Sequence, residues 1–368
     1  MHMKKIIALA LSAALLLSMA ACAGPEAQST EPEVITAEVR AKLDAIAQEK
    51  NYRGIVYLTH NGKTVYEYVS GVNDMGNPLT VDSPMSICSI SKQFCAAAIL
   101  MLRDQGKLSL DDTLEKYFPE YAAGKDVTLK NLLSMRSGIC RDFDPVLENP
   151  ELYLQKTPEE VNAEMMEWIF SRPLLFTPGT KFAYSNINYI LLSYVVEAVS
   201  GQSYEGFIRQ NIFEPLGMTH SGFLNEVPDH PNWGLTYDNL YPGCTLGDQA
   251  QGCGDIVTTA ADMDIWMNAL QSGEVVCMES FREMTTNYSP ESASRYGYGL
   301  MGSSRDGWGH NGGNLRYSSR MYFSEKHGFN LYLVTNQTPL DNLGVSEQTY
   351  TAMLGIIYQA IEATGSHS

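Results

Sequence analysis

The feature that most constrains this chain is that its β-patterned segments lie near its two ends, with a long helical stretch between them. Residues 54–68 read as a hairpin. Its two β-rich runs, 55–59 and 64–68, meet at Asn61-Gly62, a dipeptide that tolerates the positive φ values of a tight turn. The β pattern returns at residues 315–323 and 330–336, joined by the turn Glu325-Lys326-His327-Gly328. From Leu108 to about Arg282 the signals are helical, at 129–135, 158–170, 187–199, 204–211 and 260–270. Early and late strands must therefore share one antiparallel sheet. Thr36 can cap a helix with Val39, Leu43 and Ile46 on one face, and residues 346–361 form a last amphipathic helix. Terminal helices covering the sheet give an α+β fold interrupted by a mostly α-helical part. The α/β part spans about 35–107 and 290–365, and the inserted helical part about 108–289.

With 368 residues and 44% hydrophobic composition the chain can bury one large core or two modest ones. Its formal charge of −17 disfavours nucleic acid and other polyanions as partners. Residues 1–21 read as an export signal, with Lys4 and Lys5 before the apolar run 6–17, which is too short to span a bilayer comfortably. Met19-Ala20-Ala21-Cys22 resembles a bacterial lipobox, with Met19 in place of the usual Leu. Cys22 is then the lipidation site, residues 22–34 a flexible tether, and the protein a lipoprotein on the outer face of the bacterial cytoplasmic membrane. Simple secretion and an uncleaved anchor are the alternatives. Setting Cys22 aside leaves six cysteines, and Cys244 with Cys253 is the most plausible bridge in an oxidising compartment. No Cys-x-x-Cys or His-Glu-x-x-His spacing occurs, so neither a metal nor another cofactor is expected.

Residues 90–102 are apolar on nearly every side and closed by Gly106, the pattern of a helix buried in the middle of a protein. Ser89-Ile90-Ser91-Lys92 stands at its start, and a separation of three puts hydroxyl and amine on one face. A lysine in apolar surroundings loses solvation, which lowers its pKa and lets it take a proton from Ser89. The Ser89 amide, in the first turn, is free to meet an oxyanion. A chain of this size contains about one such pair by chance, so position carries the signal.

Tyr184-Ser185-Asn186 follows Pro178-Gly179 and precedes a helix, which places it at a loop end. Its tyrosine can shuttle protons, and its asparagine can hold a substrate carbonyl or the lysine. Tyr237-Asp238-Asn239 repeats the spacing without that context. The third element is His310-Asn311-Gly312-Gly313, immediately before the 315–323 strand. Its glycines let a ligand approach the backbone, and the Gly313 amide can be a second oxyanion donor. His60-Asn61-Gly62 has the same His-x-Gly spacing but belongs to the hairpin turn. The plainer reading of His310 is a satisfied structural histidine.

These elements occur in the order Ser-x-x-Lys, Tyr-x-Asn, then Lys or His-x-Gly, which resembles the penicillin-binding proteins and class C β-lactamases among serine hydrolases. The run from Leu129 to Gly138, the stretch Phe213-Glu214-Pro215-Leu216-Gly217-Met218 and residues 252–270 are similar to the same family, so the likeness spans roughly 54–357. It implies a β-lactamase/transpeptidase-like fold and a covalent mechanism. Ser89 attacks a carbonyl, the oxyanion rests on the Ser89 and Gly313 amides, Lys92 and Tyr184 exchange protons, and water releases the acyl group. Two preorganised donors can supply on the order of 3 kcal/mol each at the transition state. Asn186, His310, Asn311 and Gly312 would contact substrate. Which of Lys92 and Tyr184 is the base stays open.

The third element departs from relatives that bind a substrate carboxylate with a Lys and a following hydroxyl residue. A neutral imidazole binds anions more weakly, and alternation along a strand does not say whether Arg316 or Arg320 compensates. No carboxylate is identifiable as activating the deacylating water. D-amino-acid peptides, possible cell-wall fragments among them, esters, small amides and β-lactams all fit as substrates. A penicillin receptor that is acylated but not turned over is the main rival, and a membrane scaffold has no need for all three motifs. A Ser-His-Asp hydrolase would want a Gly-x-Ser-x-Gly elbow, and the sequence has none.

Overall fold

In the computed structural model, residues 33–148, 150–153, 156–230, 233, 235, 250–314, 316–336 and 343–365 are described. Thr36 caps helix α1 (Ala37–Glu49) by accepting the Val39 amide, and the helix buries Leu43 and Ala47. Hairpin strands β1 (Ile55–His60) and β2 (Lys63–Val69) follow, turning through Asn61 and Gly62 at φ 49° and 71°. A short strand β3 (Met85–Ser86) leads into a 3₁₀ turn at Cys88–Ser91 and then helix α2 (Lys92–Asp104). Residues 92–100 of α2 are all buried, as the unbroken apolar pattern requires. Phe94 stacks on Trp266 at 3.9 Å between ring centres. The Gln93 side chain accepts the Trp266 indole N–H at 3.0 Å and donates to Met321 Sδ at 3.2 Å, so its buried amide is satisfied.

Helices α3 (Leu129–Leu133), α4 (Pro158–Ser171), α5 (Asn186–Ser200) and α6 (Ala260–Ser272) make up much of the middle of the chain. Thr128, Thr157, Ser185 and Thr259 cap them through their hydroxyls. This stretch also holds two strands that periodicity does not reveal, β4 (Gly222–Phe223) and β5 (Ile256–Thr258). With β3 they form a second sheet in the order β3-β5-β4.

The main antiparallel sheet is completed by β6 (Arg295–Tyr296), β7 (Met301–Gly302), β8 (Trp308–Gly313), β9 (Ser318–Ser324) and β10 (Phe329–Thr335). Its order, β2-β1-β10-β9-β8-β7-β6, joins the early hairpin to the late strands through β1 and β10, as the sequence expects. Helix α7 (Leu343–Thr364) packs with α1 against one face, where Tyr322 and Tyr358 share a hydrogen bond at 2.6 Å. Helices α2 and α6 cover the other face. Asp264 of α6 takes hydrogen bonds from Thr59 of β1 and Asn330 of β10 at 2.7 and 2.8 Å. Among the described residues, no helix is long and apolar enough to cross a membrane. The export signal, Cys22 and Cys244 lie outside the described residues, as does Tyr237-Asp238-Asn239. Cys88, Cys95, Cys140 and Cys277 are free thiols.

Candidate active site

Ser89 sits in the 3₁₀ turn ahead of α2, one turn earlier than a place inside the α-helix would put it, and Lys92 is the first α-helical residue. In a 3₁₀ turn residues three apart eclipse, so serine and lysine stand one above the other. Lys92 Nζ lies 3.1 Å from Ser89 Oγ. The turn is entered through Cys88 at φ 48°, a left-handed conformation that costs a non-glycine residue of order 1–3 kcal/mol and persists only where packing enforces it. Ser89 itself is half-buried, whereas Cys88, Ile90 and Ser91 around it are buried. Cys88 beside it is no rival nucleophile, since burial pushes its thiol up to about 11.

The surroundings of the fully buried Lys92 amine are polar, contrary to the apolar pocket expected from sequence. Besides Ser89, Nζ donates to Asn186 Oδ1 at 2.8 Å and to the Cys253 carbonyl at 2.7 Å. Three acceptors fix the direction of its three donor positions. The Tyr184 ring covers the amine at 5.0 Å from ring centre to Nζ.

The Tyr184-Ser185-Asn186 element is clamped to the loop after α3. Ala183 N–H donates to Met135 O at 2.9 Å, Ser185 Oγ–H to Cys140 O at 2.7 Å, and Asn186 N–H to Arg141 O at 2.8 Å. Asn186 Nδ2 donates to Asp142 Oδ1 at 2.6 Å, which turns its amide oxygen towards Lys92. Asp142 was not legible as a site residue, because its partner is 44 positions away. The Cys253 carbonyl and Tyr296 were also missed, although 252–270 is one of the family-like stretches.

His310-Asn311-Gly312-Gly313 stands ahead of a strand, β9, as expected from sequence, and is itself part of a strand, β8, which was not expected. Alternation sends His310 and Gly312 to the face carrying Ser89 and Asn311 to the opposite face. Asn311 stands across from Arg320, whose guanidinium pairs with Glu347 of α7 and lies 5.5 Å from the Tyr350 ring centre. The substrate contact expected of the Asn311 side chain is thus corrected: it points away from Ser89, and so does Arg320. Gly312 has a different reason from ligand approach. A Cβ there would sit 2.3 Å from the Ile87 carbonyl and 2.9 Å from Cys88 Cβ, so glycine lets β8 press directly on the turn that carries Ser89. Ser319 Oγ–H reinforces the contact by donating to Ile87 O at 2.7 Å.

Gly313 is different again, with 3.8 Å of room to the nearest atom. Asn314 N–H donates to Tyr317 O at 3.0 Å, which makes the next pair, Gly313 and Ser318, a non-hydrogen-bonded one. The Gly313 amide therefore points out of the ladder, along the edge where β7 no longer pairs.

His310 is buried, and its Nδ1 lies 2.6 Å from its neighbour's carbonyl, Asn311 O. A carbonyl only accepts, so Nδ1 carries the hydrogen and Nε2 accepts from the Tyr296 hydroxyl at 3.3 Å. Burial, aided by the positive charge of Lys92, pushes the imidazole down to about 3. It is a neutral, fully engaged ring 6.2 Å from the Tyr184 ring, consistent with the plainer reading of this histidine.

A family model described as Beta-lactamase matches residues 39–352. The chain belongs to the β-lactamase family. This β-lactamase-family chain is 30% identical to PbpX of Bacillus subtilis (strain 168) over 284 residues, 74% of this chain and 68% of that protein. It is 25% identical to penicillin-binding protein 4* of the same organism over 322 residues, 80% of this chain and 70% of that one. Among solved structures, the D-amino acid amidase from Ochrobactrum anthropi SV3 shares the fold with a TM-score of 0.71 at 22% identity, over 90% of this chain and all of that one. With the family comes the enzyme class, serine hydrolase.

Proposed function

We propose that Ser89 is the acylated nucleophile of an amide- or ester-cleaving hydrolase acting on D-amino-acid derivatives. The observation that carries this reading is the approach of Lys92 Nζ to Ser89 Oγ at 3.1 Å, with the amine held by Asn186 and Cys253. Ser89 Oγ bonds to the substrate carbonyl carbon and its proton passes to the Lys92 and Tyr184 pair in the state in which that pair has already given up one proton, and the pair then returns a proton to the departing nitrogen or oxygen. The tetrahedral oxyanion is met by the Ser89 amide and the outward-pointing Gly313 amide. Water then attacks the ester, and the same pair handles its proton. Asn186 orients the substrate, and His310 supports the wall beneath Gly313.

The neutral His310 narrows the substrate. A cation at that wall would favour a leaving group ending in a carboxylate, whereas a ring that is uncharged and bonded to Tyr296 offers no such attraction. D-amino-acid amides, esters and short peptides with an uncharged end are favoured over carboxylate-bearing peptides and β-lactams. Comparing kcat/KM for a D-alanyl-D-alanine peptide and its C-terminal amide tests this. The amide should be faster by about tenfold, equivalent to about 1.4 kcal/mol; a faster free acid contradicts it. Persistence of a penicillin adduct for hours without hydrolysis of any D-amino-acid substrate would favour a receptor instead.

Export and lipid attachment at Cys22 belong to the same proposal, supported by Lys4, Lys5, the apolar run and the lipobox-like Met19-Ala20-Ala21-Cys22. Fatty-acid labelling of the native protein that disappears in Cys22→Ala supports it; equal labelling of both refutes it.

A further inference from the structure

Behind Lys92 lies a buried carboxyl that acyl transfer does not use. Asp255 is 6% exposed, Oδ2 accepts the Gly252 N–H at 3.0 Å, and Oδ1 has no hydrogen-bond partner. Gly252 is followed in the chain by Cys253, whose carbonyl receives Lys92 Nζ at 2.7 Å. The turn is closely packed on both sides. Gly252 has φ 69°, and a Cβ on it would come within 2.7 Å of Tyr189 O and 2.9 Å of Ser193 Cβ on α5. On its other side Ser91 Oγ accepts the Ile256 N–H at 3.1 Å, which ties the residue after Asp255 to the turn bearing Ser89.

We propose that Asp255 is a positioning residue for Lys92: its carboxyl anchors the Gly252 N–H and so holds the turn through Gly252 and Cys253 in the conformation whose Cys253 carbonyl aims Nζ at Ser89 Oγ. The inference rests on the Ser89 acyl-enzyme reading. Lys92 is the cation among the titratable groups facing Asp255. The others are Glu205, Cys95, Cys253 and Tyr204, the last three held protonated by burial. Burial pushes Asp255 up to about 7, against the pull of the Gly252 amide. Near neutrality the group thus passes between a carboxylic acid and a carboxylate, and the charged form grips the Gly252 N–H more strongly. The hold on Lys92 tightens as pH rises through that value.

The test is fluorophosphonate labelling of Ser89 from pH 5.5 to 9 in the wild type, Asp255→Ala and Asp255→Asn, with Ser89→Ala as control. Asp255→Ala should lower the maximal acylation rate about tenfold with little change in reagent affinity. Asp255→Asn, whose amide oxygen still accepts from Gly252, should restore most of that rate and lose the inflection near pH 7. Should the alanine variant fail to fold, the asparagine variant decides alone. An inflection near pH 7 that persists in Asp255→Asn overturns the proposal, as does an Asp255→Ala rate equal to wild type. Failure of the folded wild type to label at all sinks the Ser89 reading itself, a different outcome from either.

Discussion

The Tyr296 hydroxyl donates to His310 Nε2 at 3.3 Å, with β7 lying between their two strands in the sheet. This bond, with the Asn311 carbonyl on Nδ1, uses both ring nitrogens and leaves the histidine no free site for a proton or an anion. The imidazole is expected to stay neutral from pH 8 to 5, far above its depressed value of about 3. Its side-chain carbon and nitrogen NMR shifts should stay flat over that range. A titration midpoint near 6.5 contradicts the assignment.

Gly312 presses against the Ile87–Cys88 backbone, so Gly312→Ala must move either β8 or the turn holding Ser89. Overpacking of this kind costs about 1–3 kcal/mol. The melting temperature should fall and fluorophosphonate labelling should slow by tenfold or more. Gly313→Ala, with 3.8 Å to spare, should leave the melting temperature unmoved. Equal melting temperatures for both variants would remove the packing argument.

Asp142 holds the Asn186 amide in the orientation that presents Oδ1 to Lys92. Asp142→Ala should reduce kcat by roughly tenfold, the effect of losing a hydrogen bond worth about 1.5 kcal/mol. Asp142→Asn, which can still accept from Asn186, should keep most of the activity. If both variants lose activity equally, the negative charge of Asp142 matters and its orientation of Asn186 does not.

Asp255 and His310 bend the stability curve in opposite directions. Asp255 is raised to about 7 from an unfolded value near 3.9, so between those values the folded protein holds the proton and stability falls as pH rises, by up to about 4 kcal/mol. His310 is lowered to about 3 from about 6.5, so the unfolded chain holds the proton there and stability falls as pH drops, by up to about 5 kcal/mol. Between pH 4 and 6.5 the two slopes oppose. Removing one by Asp255→Asn should make the melting temperature climb more steeply from pH 4.5 to 6.5 than in the wild type. Parallel curves would show that one of the two groups does not titrate as buried.

Local chemistry made part of this architecture legible. Asn61-Gly62 announced its hairpin, the unbroken apolar run announced α2, and the apolar pattern over 187–199 placed a helix directly after Tyr184-Ser185-Asn186. The edge of the sheet was hidden, because β6 and β7 are two residues long and β8 carries three glycines, which erase the alternation that marks a strand. The faces of β8 were hidden for the same reason: Asn311 looked like a cleft residue until its register partner Arg320 placed it on the α7 side. Asp142, Asp255 and Tyr296 act through partners fixed by tertiary packing, and such contacts leave no periodic trace in the chain.

The most direct test of the account is intact-mass spectrometry of the protein and of Ser89→Ala after exposure to a fluorophosphonate, with peptide mapping of any adduct. One adduct per wild-type molecule is expected, on Ser89, and none on the variant. A folded wild type that stays unlabelled, or equal labelling of Ser89→Ala, would contradict it.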